Sequence, residues 1–281
     1  MPIHDFTSQR LYLDTPLSPG ATVACTPEQA NYLRNVLRMG DGDALLVFNG
    51  RDGEWKAALA QRGKRNLDLE IGEQMRPQEG GPDIDYLFAP LKRSRLDYMV
   101  QKATEMGVAR LHPVITRHTQ AERVNTERMR ANAIEAAEQC GILRIPEVAE
   151  PMKLERVLEG WDASRRLIFC DEAAEVKSPV EALRALLPPH SRGEVGEGGT
   201  AEQQSSGFPP PLTPPRKGEG NCDSPLAVLI GPEGGFAREE REMLIAKPYA
   251  LRLSLGPRIM RADTAAVAVL ALVNSVLGDW H

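Results

Sequence analysis

The chain has 281 residues, of which 42% are hydrophobic and 26% charged; that is enough apolar material for packed cores, and the length suits two domains. Its net charge of −5 excludes a uniformly basic nucleic-acid binder, so any such surface must be a local basic face. The most apolar stretch, Ala262 to Leu277, is broken by Asp263, Thr264, Asn274 and Ser275 and is too short to span a bilayer.

The opening residues Met1-Pro2-Ile3-His4-Asp5 have neither the basic nor the apolar region of a secretory signal. Cys25, Cys140, Cys170 and Cys222 form no C-x-x-C pair, and His112 and His118 have no metal-ligand spacing. Free thiols in a reducing cytoplasm, and no metal, are the expectation.

In chain order, short strands come first: residues 11–13, 44–48, 55–59 and 67–71, separated by turn signals such as Gly40-Asp41-Gly42 and Asn49-Gly50. One helix, about 27–38, interrupts them. Strands this short and this regular, over residues 1–76, predict a small barrel. Residues 75–82, rich in Gly and Pro, read as a linker. The pattern then changes to strands alternating with helices. Strands at 86–90, 111–115, 166–170, 226–230 and 249–255 are followed by helices at 93–106, 126–140, 178–187, 237–246 and 262–277. This predicts an α/β domain with a mainly parallel sheet over residues 82–281. Within it, residues 190–222 hold seven Gly and five Pro and read as a disordered insertion.

Two loops stand out at the ends of apolar strands. Leu229 and Ile230 lead into Gly231-Pro232-Glu233-Gly234-Gly235, and Leu255 leads into Gly256-Pro257-Arg258-Ile259-Met260-Arg261. In parallel sheets, ligands bind beyond the carboxyl ends of strands, and glycine admits close backbone approach. Neither loop carries a phosphate-loop Lys or a G-x-G-x-x-G, and Glu233 would repel phosphate. A cationic adenosine cofactor without phosphate fits by elimination; the alternative is a pair of turns that only join strand to helix.

Helix 262–277 is apolar on nearly every side, so it is buried either in its own chain or against a second subunit. Basic residues concentrate locally: between Leu91 and Arg130 there are nine Lys or Arg and four acids, and between Asn31 and Arg65 seven and four. Such clustering points to a phosphate-binding face. Aromatic residues make up only 5%, which speaks against a broad base-stacking platform.

Together, these segments resemble the ribosomal RNA small subunit methyltransferase E family. Leu229 to Phe236 and Leu255 to Ala265 are similar to its two cofactor-loop signatures. Lys92 to Val108, Glu135 to Gly141, and Val36-Leu37-Arg38-Met39 with Gly42-Asp43 are similar to three further motifs. The resemblance spans the chain except 190–222. Departures are Asp263 where the family usually has Glu, Met106 and Met260 for Leu, Ile142 for Arg, and Tyr32 where His is common. The Leu-to-Met changes preserve shape.

The resemblance implies an N-terminal PUA-like barrel and a C-terminal SPOUT domain with a trefoil knot, working as a homodimer. It implies methylation of uridine N3 in 16S ribosomal RNA of the small ribosomal subunit, with S-adenosyl-L-methionine (SAM) held by the backbone of residues 229–235 and 255–260. Arg261 would stabilise charge on the base or hold its phosphate. Arg258 would do the same or pair with Glu233. Asp263 is either a general base or a helix N-cap. Arg10, Arg34, Arg38, Lys92, Arg93 and Arg95 are expected to contact phosphates. A related enzyme acting on a ribose 2′-hydroxyl, or an RNA-binding assembly factor without activity, are the rival readings.

Overall fold

The computed structural model describes residues 8–62, 66–121, 123–175, 177–187 and 225–280. The segment 190–222, expected to be disordered, lies outside the described residues, as does the Arg93 side chain.

Five strands come first: β1 (Arg10–Tyr12), β2 (Thr22–Ala24), β3 (Ala44–Phe48), β4 (Glu54–Arg62) and β5 (Asn66–Arg76). They pair in the order β1-β3-β4-β5-β2, antiparallel except for β1 with β3. Alternation of side chains explains the core. Trp55, Ala57 and Leu59 of β4 and Leu67, Leu69 and Ile71 of β5 point inward, while Lys56 and Glu70 are exposed. Helix α1 (Pro27–Asn31) starts on a capping box in which Thr26 and Gln29 satisfy each other's backbone N–H. The helix expected over 27–38 continues as a π-helical turn, Tyr32–Val36, which buries Leu33 completely. It stops at Arg38, whose φ of 57° cannot continue a helix.

The second sheet contains seven strands: β6 (Ile84–Phe88), β7 (Arg110–Ile115), β8 (Glu147–Val148), β9 (Met152–Lys153), β10 (Arg166–Cys170), β11 (Leu226–Ile230) and β12 (Ala250–Leu253). Six lie in the order β12-β10-β11-β6-β7-β8, with β9 also on β7, and every pairing is parallel. The helices are α2 (Arg93–Glu105), α3 (Thr126–Cys140), α4 (Leu154–Glu159), α5 (Pro179–Arg184), α6 (Arg238–Ile245) and α7 (Ala262–Val276). Helices α2, α3, α5 and α7 share one core with Ile84, Tyr86, Phe88, Val228 and Ile230. Helices α4 and α6 cover the other face through Leu154, Leu158 and Leu244 on Leu87, Ala227 and Leu229. This coverage on both faces is why β11 reads as an unbroken apolar run, and β6 as one interrupted only by Asp85, which is paired with Arg110 and Arg165.

The two sheets meet at α3. Phe48 packs with Ala137 and Leu143, and Glu138 accepts the Tyr12 backbone N–H at 2.8 Å. Beside this contact Glu54 is buried between two arginines: Arg10 Nε at 2.9 Å and Arg76 Nε at 2.8 Å. Arg76 also donates to the Gly141 carbonyl at 2.8 Å, at the end of α3. Two expectations are corrected here. Arg10 is not a surface phosphate contact: it is 9% exposed and its charge is spent on Glu54. Strand β5 extends to Arg76, past the predicted start of the linker, because that side chain completes the ion triad.

Burial alone would raise the pKa of the Glu54 carboxyl, but hydrogen bonds from Arg76 and Arg10 outweigh it and hold the carboxyl below its ordinary value. A carboxylate with a lowered folded pKa contributes stability that is complete above the unfolded value of about 4.3 and is lost as pH falls through the folded value. Glu54→Gln is therefore expected to lower the unfolding free energy by about 3 kcal/mol at pH 7, because two arginines are left unneutralised. Urea unfolding at pH 7 and again below pH 4 measures this; the gap between variant and wild type should narrow at the lower pH.

Candidate functional site

Register sets the level of the site. Ile230 of β11 pairs with Phe88 of β6 and Cys170 of β10, and Cys170 pairs with Leu253 of β12. Because all the strands are parallel, the segments after these residues emerge together on one rim. Strand β10 returns on the opposite side of β6 from β7, so the chain reverses direction across the sheet here, the place where open α/β sheets bind ligands. Both glycine-proline loops lie on this rim.

The first loop, 231–237, is tightly held. Gly235 donates its N–H to the Pro232 carbonyl at 2.9 Å. The His118 imidazole donates from Nδ1 to the Gly235 carbonyl at 2.9 Å. Glu240, 1% exposed, accepts from the backbone N–H of Ala237 at 2.9 Å and of Arg117 at 2.8 Å. It thereby ties the loop to the end of β7. Phe236 stands edge-on to Phe169, with ring centroids 6.3 Å apart. Gly235 has φ +68°, and a Cβ there would overlap the Glu172 carboxylate. Leu229, Ile230, Pro232 and Gly235 are buried; Glu233 and Gly234 are exposed.

The second loop is open. Gly256 has φ +103° with nothing near its missing Cβ. Pro257, Arg258, Ile259 and Arg261 are exposed, Ile259 at 94%. Leu255 and Met260 are half-buried against the α7 side of the core. Arg261 occupies the N-cap position of α7 without a side-chain cap bond. Asp263 is therefore not the N-cap: it is the second residue of the helix, and its carboxylate accepts the Thr264 N–H at 3.0 Å. Glu233 pairs with Arg95 of α2 rather than with Arg258.

A third rim segment, 171–178, was not picked out in the sequence. Asp171, with a side chain 0% exposed, binds Arg252 Nε at 2.7 Å and Arg241 Nε at 3.1 Å. Beside it lies a cleft of about 230 Å³ lined by Ala174, Ser178, Arg252 and Ser254, among others. The one local signal was the cap: the Ser178 hydroxyl accepts the Glu181 N–H ahead of Pro179. Burial pushes the Cys170 thiol up to about 12, with Asp171 adding to it. No thiolate is available there at neutral pH.

The basic face is thinner than the residue count suggests. Arg110 pairs with Asp85 and Asp83, Arg117 with Glu239, Arg128 with Asp97 and Lys102 with Glu105. Of the expected phosphate contacts, Arg38 and Lys92 are exposed. Arg34 donates to the Asn66 carbonyl at 2.9 Å. Arg95 is engaged by Glu233, within reach of the rim.

Comparison with known proteins places this geometry. The family model for an RNA methyltransferase domain matches residues 79–203 and 212–274, and that for an RNA methyltransferase PUA domain matches residues 26–72. Ribosomal RNA small subunit methyltransferase E of Rickettsia conorii is 26% identical over 94% of both chains. The protein of the same name from Synechocystis is 28% identical, over 92% of this chain and 74% of its own. Among solved structures, a putative methyltransferase of Legionella pneumophila in complex with SAM aligns with a TM-score of 0.73. It is 27% identical, covering 97% of this chain and 99% of that one.

A methyl group added at either glycine meets a positive φ, so Gly235→Ala and Gly256→Ala should each cost about 1 kcal/mol or more. The Glu172 carboxylate beside Gly235 ends a half-exposed, flexible side chain and can turn aside. Thermal unfolding of the two variants measures both, and an unchanged midpoint in either would contradict the strained backbone.

Proposed function

The chain belongs to the RNA methyltransferase family, and from that premise we propose that it transfers a methyl group from SAM to N3 of a uridine in 16S ribosomal RNA of the small ribosomal subunit. The observation that carries this reading is the meeting of two glycine-proline loops on one parallel rim. It is supported by the names of the curated relatives and by the SAM-bound Legionella protein.

The rim chemistry fits the cofactor. Its carboxylates Glu172, Glu175 and Glu233 are paired with Arg241, Lys177 and Arg95, a surface of mixed charge compatible with a cofactor that carries no phosphate. When bound, SAM supplies an electrophilic methyl group. The backbone of residues 229–235 and 255–260 holds it, and orienting two reactants in this way lowers a barrier by roughly 7–11 kcal/mol. Uridine N3 carries a proton at neutral pH, so the protein must stabilise the base as that proton leaves. Arg261, exposed at the start of α7, is the cation placed for this. Arg258, exposed two residues after Gly256 and free of Glu233, serves the RNA side of the same loop. Asp263 is the nearby carboxylate that would accept the proton.

The reading extends to the assembly. Residues 1–76 act as a PUA-like RNA-binding domain and 82–281 as a SPOUT domain with a trefoil knot. Arg34, Arg38, Lys92, Arg93 and Arg95 supply phosphate contacts. Helix α7 buries Ala265, Val269 and Val273 in its own chain, with Leu272 and Val276 packed against the same core, and leaves Val267, Ala268 and Ala271 half-buried outside it; that second apolar face is the proposed homodimer contact. No described helix is long and apolar enough to cross a membrane, and the site of action is the cytoplasm, where ribosomes assemble.

The test is transfer of labelled methyl from SAM to small-subunit RNA or subunits from cells lacking the native enzyme, followed by nucleoside analysis. N3-methyluridine is the expected product. Arg261→Ala should lower kcat on the order of 100-fold without changing SAM affinity. A 2′-O-methylated product, or no product with a folded protein, would contradict the reading.

A further inference from the structure

The two loops proposed to hold the cofactor do not come from neighbouring strands. In the sheet order β12-β10-β11, strand β10 separates β11, which carries residues 231–235, from β12, which carries residues 255–260. Something at the end of β10 must therefore set the distance between them. The residue there is Asp171, directly after the last strand residue, Cys170.

Asp171 reaches both sides. On one side its carboxylate takes Nε of Arg252, in β12 three residues before the second loop, at 2.7 Å. On the other it takes Nε of Arg241, in α6, at 3.1 Å. Helix α6 is the direct continuation of the first loop. Arg241 reaches on to Glu172 Oε1 at 3.3 Å, and the Glu172 carboxylate fills the space that a side chain on Gly235 would occupy. Asp171 also accepts the Ala173 N–H at 3.0 Å, and its own N–H donates to the Leu253 carbonyl at 3.0 Å. The carboxylate is fully shielded from solvent, whereas the arginines are 25% and 33% exposed. Two cations, one from β12 and one from α6, the elements joined to the two loops, converge on one buried anion, so a shift of either element weakens the pairing of a buried charge.

We propose that Asp171 is a positioning residue for the methyl-transfer reaction. Through Arg241 and Arg252 it fixes the spacing of the two cofactor loops, and so sets affinity for SAM without touching it. The inference rests on the SAM-dependent reading above. The two arginines use different oxygens of the carboxylate, Oδ1 for Arg241 and Oδ2 for Arg252; asparagine would remove the charge and turn one of those acceptors into an N–H donor facing a guanidinium. Misplacing binding groups by about 1 Å can cost on the order of 100-fold.

The experiment compares the full-length wild type with Asp171→Asn and Arg241→Met. Affinity for SAM is read by calorimetry, KM for SAM and for RNA by methylation assay, and ligand-free loop mobility by hydrogen exchange. Asp171→Asn should weaken SAM binding about 10- to 100-fold. It should raise KM for SAM while leaving KM for RNA within about twofold, and speed exchange at 231–237 and 254–261 together. Arg241→Met keeps the Asp171–Arg252 bond, so its SAM affinity should fall between wild type and Asp171→Asn. If Asp171→Asn does not fold, Arg241→Met alone decides. Unchanged SAM affinity in a folded variant overturns the proposal, as does an equal rise in both KM values, the mark of general destabilisation. Absence of SAM binding in the wild type would instead overturn the SAM-dependent reading on which the proposal rests.

Discussion

The constraint on which this structure depends is the placement of β11 between two strands that come much earlier in the chain. Residues 226–230 pair in parallel with residues 84–88 on one side and 166–170 on the other, in register along their whole length. Every side chain of β11 is buried, so a slip by one residue would exchange Val228 and Leu229 between two different cores. This double pairing brings the segments after three strands to a single level, and the pairing of β12 with β10 adds a fourth. Without it, the two glycine-proline loops would be distant stretches of sequence rather than segments of one rim.

Charge in this protein is used more for joining than for display. Glu54 joins the small sheet to the end of α3, Asp171 joins the strands of the rim, and Glu240 joins the first loop to β7. Each is a buried carboxylate shared by donors from separate elements, and each costs desolvation that only complete pairing repays. The same economy explains the thin basic face: arginines that look available in a count of charges hold neighbouring carboxylates. Exposed basic side chains at the second loop are Arg258 and Arg261, and Arg38 and Lys92 are exposed earlier in the chain.

Much of this was legible in the sequence, for physical reasons that differ by element. Strand β11 and the Tyr86–Phe88 part of β6 announced themselves because a strand covered on both faces is largely apolar. The loops at 231–235 and 256–261 were visible because close backbone approach and positive φ demand glycine. Strands β8 and β9 were not, being two residues each, nor was the six-residue α4; neither length carries a periodicity. The strand β2 was hidden for the same reason. Long-range ion pairs were also out of reach. Arg241 and Arg252 lie 70 and 81 residues beyond Asp171, and Arg95 lies 138 residues before Glu233. No local pattern announces such partners, and so Arg10 read as a surface base although its place is in the core.

If one rim, built from loops of non-adjacent strands, is a single site for SAM, a crystal structure of the full chain grown with SAM should show one cofactor molecule per chain. That molecule should contact the backbone of both 229–235 and 255–260, with Asp171 still bridging Arg241 and Arg252 behind it. A cofactor that touches only one of the loops, or lies away from this rim, would show that the rim is not such a site.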